Sequence, residues 1–146
     1  MKINKQLAPL NILLADDDVD DRTFFEKALS EMPVATNLKT VNNGEQLMDY
    51  LAEHSTDLPD VLFLDLSMPR KTGFECLSEI KESQIFKNLT VVMLTTSYTK
   101  GLDLEDNLKT TLVRMGAHDY IRKPIEFEEL KTAVYQTITK LLEKSA

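Results

Sequence analysis

The chain of 146 residues has a single cysteine, Cys76, so it can form neither an internal disulfide nor a metal site built from several thiolates. Such cysteine usage is typical of proteins in a reducing compartment, and we expect a cytoplasmic location. No apolar run approaches the roughly 18 residues that a membrane-spanning helix needs, and the apolar stretch 10–14 is too short for a signal peptide. The sequence therefore predicts no membrane partner.

Basic residues are also fewer than acidic ones, 17 against 24, which gives a net charge of −7. This balance disfavours a nucleic-acid partner and favours cations or basic protein surfaces. The sequence contains no repeat, low-complexity tract or interdomain linker. We therefore expect one domain over residues 1–146, with its core at about 10–144 and no output domain.

Short apolar runs provide the strand candidates. The run 61–64 has no polar face and ends at Asp65, which is typical of a strand buried on both sides in the centre of a parallel sheet. The other candidates are residues 12–15, 38–41, 90–94 and 120–121.

Helical patterns alternate with these strands. They cover residues 20–32, 45–54, 73–82, about 104–115 and 126–143, with Gly116 as the predicted C-terminal cap of the fourth. On the third helix Phe74 is expected to face the core, and Cys76 to be a small core residue. Alternation at this spacing predicts an α/β fold with a doubly wound, five-stranded parallel sheet and five helices.

Four strands end in polar groups: Asp16 and Asp17, then Asp65, Thr95 and Lys123. The carboxyl ends of parallel strands share one edge of a sheet, so these groups should converge. Crowded carboxylates repel one another and place a proton on one of them unless a cation intervenes. Oxygen ligands without histidine or cysteine favour Mg²⁺ over zinc.

This set of groups suits phosphoryl transfer, which depends more on positioning and charge neutralisation than on acid–base chemistry. Asp65 would be the nucleophile that attacks phosphorus and forms an acyl phosphate. Lys123 supplies a further positive charge and Thr95 a hydroxyl donor.

In these motifs the chain resembles the receiver domains of two-component response regulators, in particular the single-domain, chemotaxis-type regulators. The matching stretches, in the family's order, are residues 12–18, 64–69 with Gly73, 93–97, and 116–117 with 120–124. The resemblance implies a flavodoxin-like sheet with strand order 2-1-3-4-5. It also implies that a histidine kinase phosphorylates Asp65, and that the protein is not an enzyme beyond its own phosphoryl acceptance and autodephosphorylation.

The resemblance assigns further roles. Asp17 and Asp65 would bind Mg²⁺ directly and Asp16 through water, with the backbone carbonyl of Ser67 completing the protein ligands. Lys123 and Thr95 would contact the phosphoryl group.

Thr95 and Tyr120 would form a switch pair in which the threonine hydroxyl moves toward phosphate and the tyrosine ring turns inward. The switch would act on the surface of the fourth helix, fifth strand and fifth helix, which could also mediate dimerisation. A histidine phosphotransfer protein or a downstream target protein would be a further partner.

The sequence departs from the family between Thr95 and Lys123, where the 28-position spacing is several residues longer than usual. The extra residues fall between Tyr98 and Leu108, beside the expected output surface. We expect this segment to influence partner choice.

Other interpretations remain beside the receiver. The run Asp16-Asp17-Asp18 could be only a solvated turn that caps the next helix. A calcium loop is excluded because Asp21 stands where glycine is needed. Asp16 and Asp18 could fit a phosphatase of the haloacid-dehalogenase type, although Asp20 stands where that motif has threonine or valine. A receiver fold that never takes phosphate and serves as a scaffold is the third alternative.

Overall fold

The computed structural model describes residues 8–95, 102–123 and 126–145, and within these ranges five strands alternate with five helices. The strands are β1 (Leu10–Ala15), β2 (Thr36–Val41), β3 (Val61–Asp65), β4 (Val91–Thr95) and β5 (Asp119–Arg122). The helices are α1 (Val19–Ser30), α2 (Gly44–Glu53), α3 (Gly73–Glu82), α4 (Leu102–Arg114) and α5 (Phe127–Ser145).

The strands form one sheet in the order β2-β1-β3-β4-β5, and every neighbouring pair is parallel. This arrangement confirms the predicted doubly wound fold. The order reverses between β1 and β3, and open α/β sheets place their ligands beyond the strand ends at such a point.

Two apolar layers cover the sheet, one on each face. Side chains alternate along a strand, so Leu62 and Leu64 of β3 enter one layer while Val61 and Phe63 enter the other. The first layer contains buried residues of α2, α3 and α4, and the second contains those of α1 and α5. All residues of β3 and β4 are buried, as expected for central strands.

The third helix corrects one prediction. Cys76 is fully buried, as predicted, but Phe74 is 37% exposed rather than directed into the core. The buried face of α3 is set by Cys76, Leu77 and Ile80, and helical geometry of about 100° per residue turns Phe74 to the edge of that face.

Helix ends agree with the prediction to within about one turn. Gly116 has a φ of 110°, and the amides of Gly116 and Ala117 donate to the carbonyls of Val113 and Leu112 at 3.0 Å. This is a Schellman cap, so the predicted end of α4 is confirmed. Helix α1 ends at Ser30, two residues before the predicted 32, because its last turn tightens: the Glu31 amide donates to the Ala28 carbonyl at 3.3 Å and the Met32 amide to the Leu29 carbonyl at 3.2 Å.

The insertion predicted between Tyr98 and Leu108 is described only in part. Residues 98–101 lie outside the described residues, and from Leu102 onward the chain is helix α4. None of the described helices combines the length and apolar character that a bilayer crossing requires.

Candidate functional site

Backbone pairing brings the ends of β1, β3, β4 and β5 to one edge of the sheet. The ladder continues past the strands, because the Lys123 amide donates to the Thr95 carbonyl at 2.8 Å and the Leu66 amide to the Leu94 carbonyl at 2.9 Å. Asp65 is the last residue of β3 and Thr95 the last of β4. The parallel topology therefore gathers the polar residues that the sequence predicted to converge.

Three aspartates form the centre of this edge. Asp16 and Asp65 are 1% and 3% exposed, whereas Asp17 is exposed. One carboxylate oxygen from each of the three lies within 4.8 Å of the others. Three anionic oxygens at this separation fit a hard divalent cation such as Mg²⁺.

Lys123 supplies a positive charge at the centre of this site. Its Nζ lies 2.8 Å from Asp16 Oδ2, 2.8 Å from Asp21 Oδ2 and 3.2 Å from Asp65 Oδ1. The lysine side chain is only 15% exposed, so these contacts are poorly screened by water. One ammonium thus partly neutralises a group of carboxylates.

Burial dominates the acid–base behaviour of Asp65. Removal from water raises its pKa to about 7; Lys123 opposes this rise, and the charges of Asp16 and Asp17 add to it. Desolvation is thus a larger cause of this shift than the repulsion between carboxylates that the sequence predicted. Burial also raises the pKa of Asp16, against the hydrogen bond from Lys123.

One oxygen of Asp65 is left unsatisfied by the described residues. Oδ1 is buried and has no hydrogen-bond partner among them, although Lys123 Nζ lies 3.2 Å away as an ion-pair contact. The ammonium therefore compensates this buried oxygen only in part, and a cation or a phosphoryl group bound there would add a second partner.

Thr95 and Tyr120, the predicted switch pair, are in contact. The Thr95 hydroxyl donates to the Tyr120 hydroxyl at 3.2 Å, and the tyrosine is half-buried against the layer formed by α2, α3 and α4. The ring therefore already points inward. Its movement in a switch stays a prediction.

The loop after Asp65 is held in place by Gly73. The Gly73 amide donates to the Leu66 carbonyl at 2.9 Å, and a Cβ on this residue would lie 2.4 Å from the Asp65 carbonyl oxygen. Only glycine fits so close an approach. Ser67 lies in this loop with an exposed side chain, and its role as a carbonyl ligand stays a prediction.

A response regulator receiver domain model matches residues 12–135, which is most of the chain. The chain belongs to the response regulator receiver domain family.

Sequence relatives of this receiver domain include larger regulators. It is 31% identical over 129 residues to the probable methanogenesis regulatory protein FilR2 of Methanothrix harundinacea, covering 86% of this chain and 79% of that protein. It is 35% identical over 128 residues to the nitrate/nitrite response regulator NarL of Escherichia coli K12, covering 88% of this chain but 54% of NarL.

Solved structures similar to this chain are also response regulators. The phosphorylated cyanobacterial phytochrome response regulator RcpA matches with a TM-score of 0.80 and 29% identity, covering 95% of this chain and 98% of RcpA. The Mn²⁺-bound response regulator Rcp1 matches with a TM-score of 0.73 and 27% identity, covering 86% of this chain and 89% of Rcp1.

The receiver site also contains two residues of α1 that were not predicted from the sequence. Asp21 accepts a hydrogen bond from Lys123, and the Arg22 side chain donates to the Asp16 carbonyl at 2.8 Å.

Asp18 caps α1 by accepting from the amides of Asp20 and Asp21. The capping interpretation of the acidic run is thus right for Asp18, while Asp16 and Asp17 belong to the group with Asp65. The sequence signal for Asp21 was its distance from the capping Asp18, because an acid three residues after an N-cap lies in the first turn of the helix.

Proposed function

We propose that this receiver domain accepts a phosphoryl group on Asp65 from a phosphohistidine of a histidine kinase. The observation that carries the proposal is the buried Asp65 carboxylate. Among the described residues its Oδ1 accepts no hydrogen bond, and the carboxylate lies beside the Lys123 ammonium and the other two clustered aspartates, Asp16 and Asp17. Asp65 attacks phosphorus, the donor's phosphorus–nitrogen bond breaks, and its electron pair stays on the imidazole nitrogen. The product is an acyl phosphate.

The proposed reaction depends on Mg²⁺. Asp17 and Asp65 would bind the ion directly and Asp16 through water, with the Ser67 carbonyl as a further ligand. When bound, the ion neutralises charge on the phosphoryl oxygens and on the carboxylates. The three clustered carboxylates support this assignment. The Mn²⁺-bound form of the similar Rcp1 also supports a divalent ion here.

Lys123 and Thr95 would contact the phosphoryl group once it is attached. The ammonium lies 3.2 Å from Asp65 Oδ1 and can donate to a phosphoryl oxygen there. If the Thr95 hydroxyl turned to phosphate, its bond with Tyr120 would break. That exchange would couple the site to β5 and the neighbouring surface of α4 and α5.

The output would be a protein interaction. The receiver domain would act in the cytoplasm, either binding a downstream protein when phosphorylated or passing the phosphate to a histidine phosphotransfer protein. A dimer through the α4–β5–α5 surface is a further expectation. The net charge of −7 disfavours a nucleic-acid partner.

Intact mass spectrometry after incubation with Mg²⁺ and acetyl phosphate tests the proposal. We expect one phosphoryl group on the wild type, none on Asp65→Asn, and normal uptake by a control, Asp49→Asn, which changes an exposed carboxylate on α2. Uptake by Asp65→Asn would contradict the assignment. Failure of the wild type with both acetyl phosphate and a phosphohistidine donor would favour the scaffold alternative.

The phosphatase alternative is tested with the same proteins. It requires Asp16 as nucleophile and Asp18 as its catalytic partner, but the Asp18 side chain instead accepts hydrogen bonds from the backbone of α1. Steady turnover of a phosphate ester that Asp16→Asn abolishes and Asp65→Asn leaves intact would support that alternative.

A further inference from the structure

The Lys123 ammonium makes two kinds of contact with the surrounding aspartates, hydrogen bonds and an ion pair without hydrogen-bond geometry. Its ammonium donates hydrogen bonds of 2.8 Å to Asp16 Oδ2 and to Asp21 Oδ2. The third contact, 3.2 Å to Asp65 Oδ1, is an ion pair and leaves that oxygen without a hydrogen bond. An ammonium has three N–H donors, so two are occupied and one remains for the space beside Asp65.

The first turn of α1 fixes the position of Asp21 beside the Lys123 ammonium. Asp18 caps the helix, and its Oδ1 accepts from the Asp21 amide at 3.3 Å. The Asp21 side chain is 37% exposed, whereas that of Asp16 is 1% exposed, so Asp21 is the outer of the two hydrogen-bonded anchors. The lysine backbone is fixed from the other side by its bond to the Thr95 carbonyl.

We propose that Asp21 is a positioning residue for the phosphoryl chemistry of this receiver. It takes one N–H of Lys123 and so orients the ammonium, with Asp16, so that the remaining N–H points to a phosphoryl oxygen on Asp65. The inference rests on the proposed function and extends it to a residue on α1. Without Asp21 the long lysine side chain would sample more orientations, and fewer of them would reach the phosphoryl group.

If Asp21 acted only through its charge, its removal would have the opposite effect on phosphoryl binding. Asp21 is an anion near a site that receives an anion, so its removal should favour phosphoryl binding by simple electrostatics. Loss of an anchor should instead weaken binding. The sign of the change therefore separates positioning from charge.

The test measures the Mg²⁺-dependent affinity for beryllofluoride, a phosphoryl mimic, by calorimetry. We expect Asp21→Ala to bind about three- to tenfold more weakly than the wild type. The matched control is Asp20→Ala, which removes an exposed acid from the same first turn of α1 and should bind as well as the wild type or slightly more tightly.

A conservative variant sharpens this result. Asp21→Asn removes the charge but keeps an oxygen that can accept from lysine, so we expect it to bind between the wild type and Asp21→Ala. Equal effects of Asn and Ala would contradict positioning, as would unchanged or tighter binding by Asp21→Ala. Thermal unfolding of each variant checks that it is folded.

A double-mutant cycle shows whether Asp21 acts through the lysine. In a Lys123→Ala background we expect Asp21→Ala to cause no further loss. An undiminished loss there would overturn the inference while leaving the proposed function intact. If the folded wild type bound no beryllofluoride and accepted no phosphate, the proposed function would fail and this inference with it.

Discussion

The bodies of the central strands and their carboxyl ends are equally buried but have opposite chemistry. Leu62 and Phe63 of β3 are 0% exposed and apolar, and Asp65 at the end of the same strand is 3% exposed and carries a carboxyl group. Burial of the first kind stabilises the fold. Burial of the second kind destabilises it unless a partner compensates. A single strand therefore supplies both the core and the reactive group.

The fold and the site therefore depend on different parts of the same strands. The strand bodies specify the sheet, and substitutions there should change stability strongly. The strand ends hold Asp16 and Asp65 as buried carboxyl groups and Thr95 as a buried hydroxyl, so substitutions there should change function and, where they remove a buried charge, raise stability.

The largest effect should come from the strand body. We expect Leu62→Ala to lower the free energy of unfolding by about 3–4 kcal/mol, because Leu62 is fully buried and its truncation leaves a cavity. Urea denaturation measures this loss. The control is Val113→Ala on α4, where the side chain is 47% exposed and a change within about 0.5 kcal/mol is expected. A loss below about 1 kcal/mol for Leu62→Ala would contradict the comparison.

At the carboxyl end of β3 we expect a substitution to change the free energy of unfolding in the opposite direction, by a smaller amount. We expect Asp65→Asn to raise the free energy of unfolding at pH 8 by about 2 kcal/mol in buffer free of divalent cations, because it removes a buried charge. The measurement is urea denaturation across pH, with Asp49→Asn as the exposed-carboxylate control.

The pH dependence follows from the raised pKa. The folded state holds the Asp65 proton up to about pH 7, against an ordinary pKa of 3.8. Between these values the folded state binds more protons than the unfolded chain, so wild-type stability falls as pH rises through that window. The advantage of Asp65→Asn should therefore be greatest above pH 7 and vanish toward pH 4. A constant difference across this range would disprove the assignment.

The smallest effect concerns the cap that supports the site. We expect Asp18→Ala to cost about 1 kcal/mol, because two amides at the start of α1 lose their acceptor. Asp18→Ser should retain most of the stability, since serine also caps helices well. Thermal unfolding compares the two variants. Equal losses would show that the carboxylate acts through charge rather than as a cap.

The sequence was sufficient for the sheet and for the residues that share its edge. Runs such as 61–64 are apolar on both faces, and the order of strand ends then requires Asp16, Asp65, Thr95 and Lys123 to meet. Alternation of side chains and parallel pairing are properties of the backbone, so they could be inferred without coordinates.

Helix orientation could not be inferred in the same way. Whether Asp21 faces the site depends on how α1 is rotated against the sheet, and Phe74 lies near the boundary between the buried and exposed faces of α3. A rotation of a few tens of degrees reverses either outcome, and periodicity alone does not resolve that angle. The switch of Thr95 and Tyr120 involves a second state and stays a prediction.

The single cysteine also offers a consequence for experiments. Cys76 is fully buried, with its Sγ 3.8 Å from the Gly44 carbonyl, and burial raises the pKa of its thiol to about 11. The thiolate that reacts with alkylating reagents is therefore scarce in the native protein. Alkylation of this one position reports opening of the apolar layer between the sheet and α2, α3 and α4, so the chain carries its own chemical probe of unfolding.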